Sequence, residues 1–174
     1  MRIKGNRFLI TGGAGLMGSN ITDRLLAGGA AEVILLDNFV RGSMRNIESS
    51  LKDKRVRLVE GDIRNLDLLC NLAAGINGLF HMAALRITAC ADDPREAMEV
   101  MLVGTLNVLQ TMVEKKVGRL VYATSASVYG LADVFPTNET HHAFNNRTLY
   151  GTAKMAGEGM ARSFADMYGL QYVA

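Results

Sequence analysis

The stretch Arg7-Phe8-Leu9-Ile10-Thr11 runs directly into Gly12-Gly13-Ala14-Gly15-Leu16-Met17-Gly18, and this junction limits the possible folds more than any other. The first stretch is short and apolar, as a buried strand should be, and the glycines that follow allow a tight turn. From Leu16 onward Ile21, Leu25 and Leu26 share a helical face to about Ala27, where Gly28-Gly29 stops the helix. A strand, a glycine turn and a helix in that order begin a βαβ unit. The alternation continues along the chain. Strands are predicted at residues 32–37, 55–60, 78–82, 119–124 and 171–174. Helices are predicted at residues 66–74, from Asp93 to about Lys116, and from about Leu149 to Tyr168, which Gly169 stops. Asp93 can cap the long middle helix, Pro94 suits its first position, and Glu96 would complete a reciprocal cap. Continuous apolar strands alternating with helices predict a parallel sheet covered on both faces. Right-handed crossovers make this α/β chain a doubly wound, Rossmann-like sheet, expected as one domain over residues 1–174.

Composition supports a globular domain and excludes several classes of function. The chain has 174 residues, 49% hydrophobic and 21% charged, enough for a sizeable core. Its 19 basic and 17 acidic side chains leave a net charge of +2 with no basic stripe, so nucleic acid is not an expected partner. Cys70 and Cys90 are too few for a disulfide framework. The opening residues run straight into a strand, and no apolar stretch approaches the ~18 residues a membrane helix needs. A cytoplasmic protein without a membrane partner is therefore expected.

The glycine turn sits where a pyrophosphate could bind. The helix N-terminus beyond it offers free N–H groups and the positive end of a dipole. The spacing of Gly12, Gly15 and Gly18 is Gly-x-x-Gly-x-x-Gly, and Leu16 and Met17 supply the intervening backbone. Asp37 ends the second predicted strand, 19 positions after Gly18. A carboxylate there can accept from adenosine ribose hydroxyls and would repel a 2′-phosphate, favouring NAD over NADP. It could instead cap the next turn, and Arg41 and Arg45 could partner a 2′-phosphate. Asp62 can reach an adenine edge or cap the following helix.

Tyr150 and Lys154 are four residues apart, on one helix face. A phenol titrates near ~10, and a neighbouring ammonium favours its phenolate, which makes an acid/base usable near neutral pH. Ser125, at the end of the fifth predicted strand, can offer a hydrogen bond to the same substrate oxygen.

In sequence order, the motifs are the 11–18 glycine segment, Asp37-Asn38, Gly61-Asp62-Ile63-Arg64 and His81-Met82-Ala83-Ala84. They continue with Gly104-Thr105-Leu106-Asn107-Val108-Leu109, then Thr124-Ser125-Ala126-Ser127-Val128-Tyr129-Gly130, and end with Tyr150 to Lys154. In order and spacing the chain resembles the extended short-chain dehydrogenase/reductase family, in its NAD-dependent epimerase/dehydratase group. It looks most like nucleotide-sugar 4-epimerases of the UDP-glucose type.

The resemblance implies an NAD enzyme in which Tyr150 is the acid/base, Ser125 assists, and Lys154 binds the nicotinamide ribose and favours the phenolate. Gly12, Gly15 and Gly18, with Leu16 and Met17, would carry the pyrophosphate. Asp37 and Asn38 would serve the adenosine ribose, Asp62 and Ile63 the adenine, and Ala83 and Ala84 the cofactor channel. In the implied cycle Tyr150 removes the C4 hydroxyl proton as hydride passes to NAD, and the ketosugar rotates and receives the hydride on its other face. Sister 4,6-dehydratases typically place an Asp-Glu pair where this chain has Ala126-Ser127. Met101 stands where the family usually has Asn, and a methionine there keeps the helix without the polar contact. Family members usually continue for about another domain, which supplies most sugar contacts, so the substrate portion is expected to be absent. The alternatives are a cofactor-binding module without catalysis of its own, and another extended-family oxidoreductase. A homodimer through the helices beginning at Asp93 and Leu149 is also implied.

Other conspicuous residues have plainer readings. His81 is expected to be hydrogen-bonded framework. His141-His142 has no cysteine or carboxylate at ligand spacing, so no metal is expected. Cys70, Met98, Met101 and Met112 read as core, and Cys90 as partly exposed. Arg86 and Thr88 could touch substrate or simply be solvated.

Overall fold

Alternation along the strands divides the core into two layers. In β1 (Arg7–Thr11) Phe8 and Ile10 face one layer and Leu9 the other, and β2 (Glu32–Asp37) repeats this with Val33 and Leu35 against Ile34 and Leu36. The computed structural model describes residues 2–174. In it β1 and β2 join β3 (Val56–Glu60), β4 (Gly78–His81), β5 (Arg119–Tyr122) and β6 (Tyr172–Val173) in one sheet. Every pairing is parallel and the order is β3-β2-β1-β4-β5-β6. This doubly wound arrangement reverses direction between β1 and β4, where a crevice opens at the carboxyl ends of the strands.

Helices α1 (Leu16–Ala27) and α2 (Met44–Ile47) flank the smaller layer, which includes Leu25 and Ile47. The larger layer holds Leu69 of α3 (Leu66–Leu72), Cys90 of α4 (Ile87–Asp92), Ala97 of α5 (Pro94–Met98), Val108, Leu109 and Met112 of α6 (Gly104–Glu114), and Ala153 and Ala161 of α7 (Leu149–Tyr168). Burying each such Leu or Ile is worth ~1.5–3 kcal/mol.

The predicted helix from Asp93 to Lys116 is not one regular helix. A π-helical stretch, Glu99–Val103, separates α5 from α6. Asp93 caps α5 by accepting from Glu96 N, but the reciprocal half is missing, because Asp93 N donates to Ala89 O at the end of α4. The fifth strand stops at Tyr122, two residues before its predicted end. Cys90 is fully buried rather than partly exposed. Among the described residues, no helix is long and apolar enough to cross a membrane.

Candidate functional site

The crevice forms a cleft of about 490 Å³ running from the glycine turn to the first turn of α7. Gly12 has φ +69°, and a Cβ there would lie 2.7 Å from Ala83 N, so the turn after β1 packs directly on the backbone after β4. A Cβ on Gly18 would overlap the Gly12 carbonyl oxygen. No side chain caps α1, whose first residues Leu16 and Met17 line the cleft together with Gly12, Gly15 and Gly18.

Around Asp37 the backbone supplies the donors. One carboxylate oxygen accepts from Ala14 N and the other from Phe39 N, both at 2.9 Å. Asp37 thus caps the following turn, clamps the glycine loop and lines the cleft at once. Asn38 donates to Asp62 and accepts from Val40 N. Asp62 also takes a bidentate grip from Arg64, whose guanidinium holds the carboxyl below its usual range against the opposing effect of burial. Through Oδ2, which accepts from Asn38 as well as Arg64, Asp62 ties the loops after β2 and β3 together, while Oδ1 is held by Arg64 within its own loop. Ile63 is buried, and Gly104 leaves room for its tip. Arg41 lines the cleft and Arg45 does not.

At the other end Thr148 caps α7 by accepting from Gly151 N at 3.0 Å, which puts Tyr150 in the first turn and Lys154 one turn later. Both line the cleft, as do Ala83 and Ala84. Lys154 is 2% exposed; its Nζ donates to Ala123 O at 2.6 Å and lies 6.0 Å from the Tyr150 ring centroid. Burial pulls its pKa down to about 8. Ser125 Oγ accepts from Ser127 N, capping a 3₁₀ turn over Ala126–Tyr129 and leaving its own O–H free to donate. The neighbouring Thr124, not Ser125, lines the cleft, and it donates to Glu158.

Some of these contacts were not legible in the sequence. Met101 does make a polar contact, since its Sδ accepts from Leu85 N at 3.3 Å, steadying the segment after Ala83-Ala84. Asn107 donates to the carbonyls of Ile63 and Arg64, fixing the loop after β3. Only the residue type hinted at this, since a buried Asn needs partners. His81 is framework, hydrogen-bonded to Thr11 and Thr105. Arg86 and Thr88 are exposed at the start of α4. Asp133 supplies the carboxylate that spacing did not reveal beside His141-His142. There His142 Nε2 lies 2.8 Å from Asp133, and His141 Nε2 accepts from Asp133 N, so hydrogen bonds occupy the group.

An open six-stranded parallel sheet with a glycine turn at its switch point and a Tyr/Lys pair lining the same cleft defines a doubly wound α/β protein. Residues 8–174 match the model of the NAD dependent epimerase/dehydratase family, and the chain belongs to that family. Among curated relatives, it is 31% identical over 167 residues to a putative UDP-glucose 4-epimerase of Methanocaldococcus jannaschii, covering 94% of this chain and 52% of that protein. Among solved structures it is similar to an epimerase from Methanothermobacter thermautotrophicus, with a TM-score of 0.91, 32% identity, and coverage of 98% of this chain and 51% of that one. It is also similar to the dTDP-glucose 4,6-dehydratase DesIV of Streptomyces venezuelae, solved with NAD, with a TM-score of 0.89, 34% identity, and coverage of 95% and 53%. The chain thus spans about half the length of these relatives.

Proposed function

We propose that this chain is the NAD-binding and proton-transferring part of a nucleotide-sugar 4-epimerase, acting on UDP-sugars like those its relatives are named for. The observation that carries the reading is the meeting of the glycine turn, Asp37, Tyr150 and Lys154 in one cleft. The residues present suit a dinucleotide. The turn carries glycines whose Cβ atoms would clash, the helix N-terminus has no side-chain cap, and the buried carboxylate at the end of β2 lines the cleft.

In this reading the α1 N-terminus holds the pyrophosphate, Asp37 and Asn38 the adenosine ribose, and Lys154 the nicotinamide ribose. Ile63 and Asp62 border the adenine, and Ala83 and Ala84 leave room for the cofactor. Bound NAD supplies a hydride acceptor that can return the hydride. Tyr150 takes the proton of the sugar C4 hydroxyl and later gives it back, and the ammonium of Lys154 favours its phenolate. Ser125, next to the cleft-lining Thr124 and with its O–H free, is the further donor to the same oxygen. Water elimination would need a further acid and base. Ala126 and Ser127 carry no carboxyl group, and the only carboxylates lining the cleft among the described residues, Asp37 and Asp62, lie at the adenosine end. Epimerisation therefore fits the site better than dehydration. Assembly as a homodimer through α6 and α7 belongs to the same reading, and native mass spectrometry reads it as a doubled mass.

Proton NMR of UDP-galactose incubated with NAD and a complete protein that carries this chain with its substrate portion tests the assignment. Conversion to UDP-glucose is expected, with Tyr150→Phe lowering it ~10²–10⁴-fold while calorimetry shows NAD binding unchanged. Turnover surviving in Tyr150→Phe would remove that residue from the chemistry. NAD binding without turnover in that complete protein would make this chain a cofactor-binding module instead.

A further inference from the structure

Lys154 is a buried cation without an anionic partner. Its ammonium has the Ala123 carbonyl at 2.6 Å, and no ion pair among the described residues includes it. The titratable groups around it come from four elements. His81 of β4 is fully buried and neutral, its pKa pushed down to about 3 by burial and then by the Lys154 charge. Cys90 of α4 is a thiol that burial pushes further from ionising, so it provides no thiolate. Glu158 of α7, the same helix, accepts from the Thr124 hydroxyl. Tyr122 of β5 and Tyr150 of α7 present rings, and Nζ stands 4.9 Å from the Tyr122 centroid against 6.0 Å from that of Tyr150.

The Tyr122 ring is held from several sides. His81 stacks on it with centroids 5.5 Å apart and planes 25° from parallel. His81 is itself fixed between Thr11 and Thr105. A Cβ on Gly157 would overlap the Tyr122 hydroxyl, so glycine at that position of α7 is what lets the ring lie there. A ring fixed in this way, and only 3% exposed, presents its negative π face to the ammonium where water cannot compete.

We propose that Tyr122 is a positioning residue for Lys154, its π face and the Ala123 carbonyl together taking the place of a carboxylate counter-ion. The substitution has a chemical consequence. A carboxylate would neutralise the ammonium and occupy its N–H donors. A ring steadies the charge and leaves both the net charge and the remaining donors directed at Tyr150 and the cleft. Because burial already draws Lys154 down to about 8, a further fall of about one unit on loss of the ring would leave about half of it uncharged at pH 7. The inference rests on Lys154 being the partner of Tyr150, but its test reads Lys154 alone.

The test is an NMR titration of the Lys154 side chain in isotope-labelled protein, assigned by its absence in Lys154→Met. Tyr122→Phe keeps the π face and is expected to titrate with the unaltered protein. Replacing residue 122 with phenylalanines of increasing ring fluorination keeps the shape but withdraws the π charge. The Lys154 midpoint is expected to fall stepwise across that series, by about one pH unit in total. A midpoint that ignores fluorination, or that moves with loss of the hydroxyl and not with fluorination, would overturn the proposal. Neither outcome depends on turnover, so the epimerase reading stands or falls separately on Tyr150→Phe.

Discussion

His81 is locked as one neutral tautomer by the hydroxyls beside it. Thr105 spends its only hydroxyl hydrogen on Met101 O at 2.7 Å, so it can only accept from His81 Nε2–H. Nδ1 is then bare and accepts from Thr11 at 2.7 Å. A proton on Nδ1 would oppose the Thr11 hydroxyl in a site without water access. With a folded pKa of about 3 and an ordinary value of 6.5, the unfolded chain binds a proton between those limits that the folded chain refuses. The stability due to neutral His81 is therefore complete above pH 6.5 and drains away as pH falls towards 3. Urea unfolding should show a loss approaching ~1.4 kcal/mol per pH unit in that window. His81→Gln, which hydrogen-bonds without titrating, should show a shallower slope, and equal slopes would refute the account. The framework role of His81 was legible from its place at the end of the fourth strand. The tautomer was not, because Thr11 and Thr105 meet it only once β1, β4 and the start of α6 are packed.

The same divide appears between secondary-structure elements. Strands β1 and β2 and helices α1 and α7 were readable from apolar runs, glycine turns and closing glycines. Gly169, with φ +71°, ends α7 where the sequence expected. The unread elements carry weak signals. Helix α2 spans only Met44–Ile47, and α4 begins at Ile87 with Arg86 before it making no side-chain cap. Across Glu99–Val103 the apolar run is equally compatible with α and π geometry, and only packing selects the wider turn. Caps matter most where chemistry sits in the first turn, as Tyr150 does in α7. Thr148→Ala should cost ~1 kcal/mol, lowering Tm by ~2–4 °C, while Thr148→Ser stays near the unaltered value. Phe144, 90% exposed in the preceding loop, is the control: Phe144→Ser should change stability by less than ~0.5 kcal/mol. Calorimetric melting that ranked the two sites the other way would show that the loop, not the cap, holds the start of α7.

For the whole molecule, the sequence implied a doubly wound sheet, but not the strand order that brings Asp37 and Tyr150 to one cleft. That order results from each crossover packing its helix on a chosen face, which a linear pattern does not record. The charge in the cleft it creates predicts a preference for NAD over NADP. Asp37 is 7% exposed and fixed by Ala14 N and Phe39 N, so it cannot swing away from a 2′-phosphate, and the two anions would repel. Arg41 lines the cleft too, but it is exposed, and an exposed cation screened by solvent offsets little of that repulsion. NAD at a hundred times its Kd should stabilise the chain by ~2.7 kcal/mol, raising Tm by ~5–10 °C, and NADP at the same concentration by clearly less. Asp37→Asn should narrow the gap by removing the charge, and should lower Tm without ligand, because an amide cannot accept both backbone N–H groups. Equal shifts with the two dinucleotides in the unaltered chain would mean that Arg41, not Asp37, governs that end of the cleft.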